Sequence, residues 1–149
     1  MVRRLAAEGV CVSVDTRHAE VAQACIEAGA SIINDVTGFR DPEMVKVATS
    51  CDAGLVAMHM KGDDPRTMQD EPCYDDVVDE VATYLKNRAE MLEDAGIERE
   101  RICLDPGPGF GKTAKQTIQL MRNFQEFARL GYPLWWRFRE ELYRVCLPH

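Results

Sequence analysis

Acidic, amide and imidazole side chains recur just after short apolar runs in this 149-residue chain: Asp15, Asn34 with Asp35, His59 and Asp105. Carboxylates and amides gathered in one pocket suit two kinds of chemistry. They accept hydrogen bonds from an amino-heterocycle, and they stabilise positive charge that develops during a reaction. Each residue alone also has a plainer reading. Asp15-Thr16 stands where a following helix needs a cap, and Asp35 can tie down its loop by accepting from backbone amides. The repetition at four successive positions is therefore the signal.

The stretch from Asp105 through Pro106-Gly107-Pro108-Gly109-Phe110-Gly111 to Lys112-Thr113 is the most informative. Its Gly-Lys-Thr end invites a phosphate-loop reading, but that pattern requires glycine five places before Gly111, where Pro106 stands. What remains is a backbone rich in glycine and proline, held close to whatever Asp105 faces, with the Phe110 ring at its middle. A rigid turn is the plain reading, and a ligand site is the favoured one. His59 lies between Met58 and Met60, while His18 and His149 have no spacing that completes a metal set with it. A hydrogen-bonded histidine fits better, with Met58 lining the same pocket.

The elements that must position these residues alternate between β-rich runs and helical periods. Strands are expected over residues 10–15, 31–36, 54–60 and 101–105. The first helix is expected from about Arg17, capped by Thr16, facing inward with Val21, Cys25 and Ile26, and stopped by Gly29. Asp41-Pro42 should open a second helix carrying Met44, Val45, Val47 and Ala48. A long helix over about residues 74–95 repeats Val78, Val81, Leu85, Ala89 and Leu92, ending at Gly96. A last helix carries Ile118, Met121, Phe124 and Phe127. Four β/α units in series suit an open doubly wound sheet or part of a closed barrel, which runs to about 250 residues. Only a barrel brings all four polar tips to one mouth.

The bulk composition narrows the partners. A chain that is 46% hydrophobic and 29% charged suits one globular domain. A net charge of −7 opposes binding to nucleic acid or an anionic membrane. Neither a secretory leader nor an apolar run long enough to span a bilayer is found, so a cytoplasmic protein is expected. Six cysteines without a C-x-x-C pair read as buried, reduced thiols.

Taken in order, Ser13-Val14-Asp15-Thr16, Ile33-Asn34-Asp35-Val36-Thr37-Gly38, Met58-His59-Met60-Lys61-Gly62, Pro65-Arg66-Thr67-Met68-Gln69 and the Asp105–Lys112 loop resemble dihydropteroate synthase. The resemblance covers about residues 1–134 and implies a partial (β/α)₈ TIM barrel, strands three to six of eight. It implies a transferase that condenses 6-hydroxymethyl-7,8-dihydropterin pyrophosphate with p-aminobenzoate, releasing pyrophosphate. By that resemblance Asp105 grips the pterin's amino-pyrimidine edge, and Asn34 and Asp15 bond other pterin nitrogens. Met58 packs on the ring, Gly109 contacts the pterin, and Phe110 lies beside p-aminobenzoate. Asp15 is also the catalytic choice, stabilising the cation-like methylene, and Mg²⁺ serves the departing pyrophosphate. A homodimer is a further expectation.

Several family segments have no counterpart here. They are the strand-one Asn-x-Thr-Pro-Asp-Ser-Phe segment, which carries the magnesium contacts, the Ser-Arg-Lys after strand seven and the Arg-x-His of strand eight. Little or no turnover is expected from these residues alone. The competing readings are a non-catalytic pterin-binding remnant and a pterin-binding methyltransferase subunit. Residues 135–149 form an atypical tail. Shifting the codons around Trp135-Trp136 by one nucleotide yields a Val-Ala-x-Ser-Arg string like the strand-seven signature, so a frameshift near Leu134 is expected.

Overall fold

The computed structural model of the chain describes residues 1–62 and 73–136. Four β/α units follow one another: β1 (Ser13–Asp15), α2 (Ala19–Glu27), β2 (Ile32–Asp35), α3 (Pro42–Thr49), β3 (Gly54–Met58), α4 (Val77–Asp94), β4 (Ile102–Asp105), α5 (Ala114–Arg122) and α6 (Phe124–Ala128), after a leading α1 (Val2–Ala7). The sheet is parallel throughout, in the order β1-β2-β3-β4. Beyond α6, Leu134 makes a single parallel bridge to Leu104, so the chain returns beside β4. A doubly wound sheet reverses its strand order at a switch point, and this one only advances, as the wall of a barrel does.

Register divides the sheet into two faces, because side chains alternate along a strand. Ile33, Leu55, Ala57, Ile102 and Leu104 join one core with Met44, Ala48, Val81, Leu85, Ala89, Leu92, Leu120 and Phe127 of the helices. That is the helix-covered face. The other face carries Asp15, Asn34, Val56, Met58, Cys103 and Asp105. Val56 and Met58 are buried yet stand outside the helix-side core.

Local signals account for most boundaries. Asp41 caps α3 by accepting from the Glu43 amide, with Pro42 at the first helical position as expected. Asp76 caps α4 through the Val78 and Asp79 amides, so that helix starts at Val77, three residues later than its periodicity implied. Its inner stripe is Val77, Val81, Leu85, Ala89 and Leu92, of which each large member contributes about 1.5–3 kcal/mol. Gly29 has φ +97, and a Cβ there would stand 2.8 Å from the Ala6 Cβ. Glycine thus lets α1, which the apolar pattern did not reveal, rest against the end of α2.

Other expectations need correction. Thr16 does not cap α2: the helix begins at Ala19, and the Thr16 hydroxyl accepts instead from the His18 amide at 3.1 Å. Val21 is exposed, and α2 buries Ala19 and Ala22. The last helix is two, broken at Asn123, which turns Met121 and Phe124 outward while Leu120 and Phe127 stay buried. Cys11 and Cys73 are exposed, and Cys25, Cys51 and Cys103 are half-buried, so the thiols are unpaired but not core filler. No helix among the described residues is long and apolar enough to cross a membrane. Trp136 packs on Phe124 and Phe127 at ring distances of 5.4 and 6.0 Å. The rest of the expected tail, 137–149, lies outside the described residues.

Candidate functional site

The strand register carries the candidate residues to one side of the sheet. Asp15 pairs with Asn34, and Asn34 with Val56. Met58, two residues further along and on the same side, pairs with Asp105. At the first corner the Asn34 amide Nδ2 donates to Asp15 Oδ2 at 3.2 Å, and the Thr16 amide donates to the Asn34 carbonyl at 3.0 Å. Because a carboxylate oxygen accepts, the Asn34 amide group must turn its NH₂ toward Asp15. Its Oδ1 is then shielded from solvent without a hydrogen-bond partner among the described residues. Buried polar atoms are nearly always satisfied, so this acceptor calls for a donor.

Asp35 belongs to the opposite side and has a different task. Its carboxylate accepts from the Thr37 amide and hydroxyl, both at 2.8 Å, and from the Phe39 amide at 2.9 Å. Burial raises its pKa against the pull of those hydrogen bonds. This ties down the β2–α3 loop, where Phe39 is fully buried at φ 59, a conformation that costs a non-glycine residue roughly 1–3 kcal/mol. Helix α4 closes the arrangement. Tyr84 donates to the Thr37 carbonyl at 2.9 Å, and Arg88 donates to the carbonyls of Gly38, at 2.7 Å, and Phe39. Arg40 then reaches the Met60 and Gly62 carbonyls at 2.8 and 2.7 Å.

The β4–α5 loop lies directly on the end of β3. Asp105 is 3% exposed, and one of its carboxylate oxygens accepts from the Gly107 amide at 2.7 Å. Gly107 has φ +63, and a Cβ there would meet the His59 carbonyl oxygen at 2.1 Å. At Gly111 a Cβ would stand 2.8 Å from the Lys61 Cβ. The close approach expected of these glycines is therefore made to the β3 end itself. Gly109 and Phe110 are half-buried at the crest of the loop, with the Gly109 amide donating to the Thr117 hydroxyl at 3.2 Å.

His59 is buried, meets the Tyr84 ring edge-on at 4.9 Å, and takes Lys112 Nζ at 2.9 Å on its Nδ1. Burial, then the nearby Lys112 and Arg40 charges, push its pKa down to about 2, so the ring is neutral. It is the hydrogen-bonded histidine expected, and no acid–base group near neutral pH. Cys103 faces the same side as Asp105, and burial pushes its thiol up to about 11, which leaves it unreactive.

No sequence motif singles out Arg88, Tyr84 or Tyr74, whose hydroxyl donates to the Gly111 carbonyl at 2.8 Å. Lys112 enters the sequence patterns only at the end of the Asp105–Lys112 loop and in the phosphate-loop spacing that fails. Tyr84 and Arg88 had a visible signal: they sit four residues apart and beside the stripe formed by Val81 and Leu85. The Pro65–Gln69 motif lies outside the described residues. Among the described residues no three His, Cys, Asp or Glu side chains are grouped to hold a metal ion. The Asn-x-Thr-Pro-Asp-Ser-Phe segment through which the resemblance would hold magnesium has no counterpart in this sequence, and no step is routed through the ion.

Comparison with known proteins agrees with this geometry. A family model described as pterin binding enzyme matches residues 1–136. A dihydropteroate synthase of Synechocystis sp. is 40% identical over 124 residues, 83% of this chain and 43% of its own length. The chain therefore spans less than half of that relative. The crystal structure of a dihydropteroate synthase from Thermus thermophilus in complex with 4-aminobenzoate superposes with a TM-score of 0.85 at 41% identity, covering 89% of this chain and 51% of that one. The same enzyme in complex with 6HMPPP gives 0.85 and 41%, covering 89% and 52%. The four-stranded parallel sheet is thus an arc of a TIM barrel.

Proposed function

The chain belongs to the pterin-binding enzyme family, and from that membership we propose that it carries the pterin-reading face of a dihydropteroate synthase. Asp105 accepts from the ring's amino-pyrimidine edge, a two-pronged match for a carboxylate. Asn34 Oδ1 takes a further ring N–H, Met58 packs on the ring, Gly109 contacts the pterin, and Phe110 borders the p-aminobenzoate side. In the reaction the methylene C–O bond breaks and pyrophosphate leaves with the electron pair. The aniline nitrogen then forms the C–N bond and gives up a proton. To Asp15, which accepts from Asn34 Nδ2, we assign stabilisation of the positive methylene carbon.

The observation that carries this reading is the shielded Asn34 Oδ1, an acceptor without a donor in a row with Asp15, Met58 and Asp105. The solved relatives bound to 4-aminobenzoate and 6HMPPP support it from outside. Titration of the full chain with 6-hydroxymethylpterin, followed by the pterin's own fluorescence, tests it. Saturable binding is expected. Asp105→Asn keeps an acceptor for the Gly107 amide but sets its NH₂ against ring donors, and should weaken binding about 10- to 150-fold, as loss of a charged hydrogen bond does. Absence of binding by the wild type would overturn the reading. Binding without dihydropteroate formed from pterin pyrophosphate and p-aminobenzoate would reduce it to a pterin-binding role.

A further inference from the structure

Lys112 is 3% exposed, and its Nζ is surrounded by acceptors: His59 Nδ1 at 2.9 Å, the Gly107 and Phe110 carbonyls at 3.0 Å each, and the His59 carbonyl at 3.3 Å. An ammonium has three protons and no lone pair, so this cage is built for one. Its acceptors come from three places: the end of β3, the start of the β4–α5 loop and the crest of that loop. With the donor gone, three carbonyls would face one another in a dry site. The Gly107 amide that Lys112's contact helps to fix is the one that orients the Asp105 carboxylate. Phe110 is held at both ends of its backbone, its amide donating to the Gly107 carbonyl at 3.1 Å and its carbonyl accepting from Lys112.

We propose that Lys112 is a positioning residue for pterin recognition, setting Asp105 and Phe110 by fastening their loop to the end of β3. This rests on the pterin-binding reading above. The groups facing the amine are Asp105 from β4, Lys61 after β3 and the neutral His59 ring, with Arg40, Tyr74 and Tyr84 around that ring. Burial draws Lys112 down to about 7, with Lys61 adding to the shift and Asp105 opposing it. The caged amine sheds its proton at about 7, whereas a solvated lysine keeps it to 10.5, so opening the loop above pH 7 takes up a proton and rising pH holds the loop closed more firmly.

Two measurements on the full chain test this: amide hydrogen exchange resolved to the 106–111 segment, and the 6-hydroxymethylpterin titration, for wild type and Lys112→Met. In Lys112→Met, exchange in the loop should rise at least about tenfold while β1 to β3 hold theirs, and pterin affinity should fall about tenfold. Wild-type loop exchange, corrected for the intrinsic base-catalysed rate, should fall between pH 6 and 8, a comparison that needs no variant to fold. Unchanged loop exchange in the variant, a flat or climbing corrected wild-type profile, or undiminished pterin affinity overturns the proposal. If the wild type binds no pterin, the functional reading fails, and exchange alone decides whether Lys112 fastens the loop.

Discussion

Acid should destabilise this fold through one ring. His59 is 5% exposed, packed against Tyr84 and occupied at Nδ1 by Lys112, which holds its pKa at about 2 against an ordinary 6.5. Between those values the unfolded chain binds a proton that the folded chain refuses, so stability rises with pH there. The contribution is complete above 6.5 and is lost as pH falls. At pH 5 the loss spans about one and a half pH units at about 1.4 kcal/mol each, or about 2 kcal/mol. Lys112 adds no slope in this window, because below about 7 it is protonated in both states. His59→Asn provides the control, since its Oδ1 can replace Nδ1 as acceptor without taking a proton. Urea unfolding followed by circular dichroism at pH 5 and 7.5 should show the wild type losing about 2 kcal/mol more than the variant. Equal losses would refute the reasoning, and would mean that the folded ring accepts its proton as readily as the unfolded one.

Further predictions follow from named contacts. Gly107→Ala places a Cβ 2.1 Å from the His59 carbonyl oxygen at φ +63, so urea unfolding should show a loss of about 3 kcal/mol or more, or pterin binding should vanish from a displaced loop. Asp35→Ala leaves the Thr37 and Phe39 amides without their acceptor, and the same unfolding measurement should register about 2–4 kcal/mol. Leu85→Ala empties the fully buried centre of the α4 stripe and should cost about 2–5 kcal/mol, whereas Val21→Ala on the exposed side of α2 should cost under about 1 kcal/mol. A similar cost at the two sites would mean that the core has been misplaced.

The four β/α units were legible because their signals are local. The Asp41-Pro42 helix start and the three- and four-residue steps of α4 depend only on neighbouring residues. What escaped depends on contacts between distant segments. Exposure of Val21, Met121 and Phe124 follows from which way each helix turns on the sheet, and apolar character alone cannot specify that. Lys112 escaped because its partners are mostly backbone carbonyls, which every residue has and no sequence pattern marks. The candidate site was legible as a set of strand tips, while the orphaned Asn34 Oδ1 appears only once Asp15 is beside it.

Alternation along the strands then separates recognition from support among residues that are adjacent in sequence. Asn34 and Asp35 are neighbours of similar size, yet one faces Asp15 and the other fastens the Thr37–Phe39 loop from the helix-covered side. Met58 and His59 divide in the same manner, the first paired with Asp105 and the second joined to Lys112. Because the side-chain period is two, a one-residue slip of β2 or β3 would exchange these roles completely. The supporting members hold against such a slip. Asp35 is anchored by three hydrogen bonds, and the His59 amide donates to the Asp105 carbonyl at 2.9 Å, extending the β3–β4 ladder to the mouth. Asp35 and His59 thereby fix which face their neighbours present, so on the pterin-binding proposal loss of Asp35 should disturb pterin binding through Asn34 as well as lower stability.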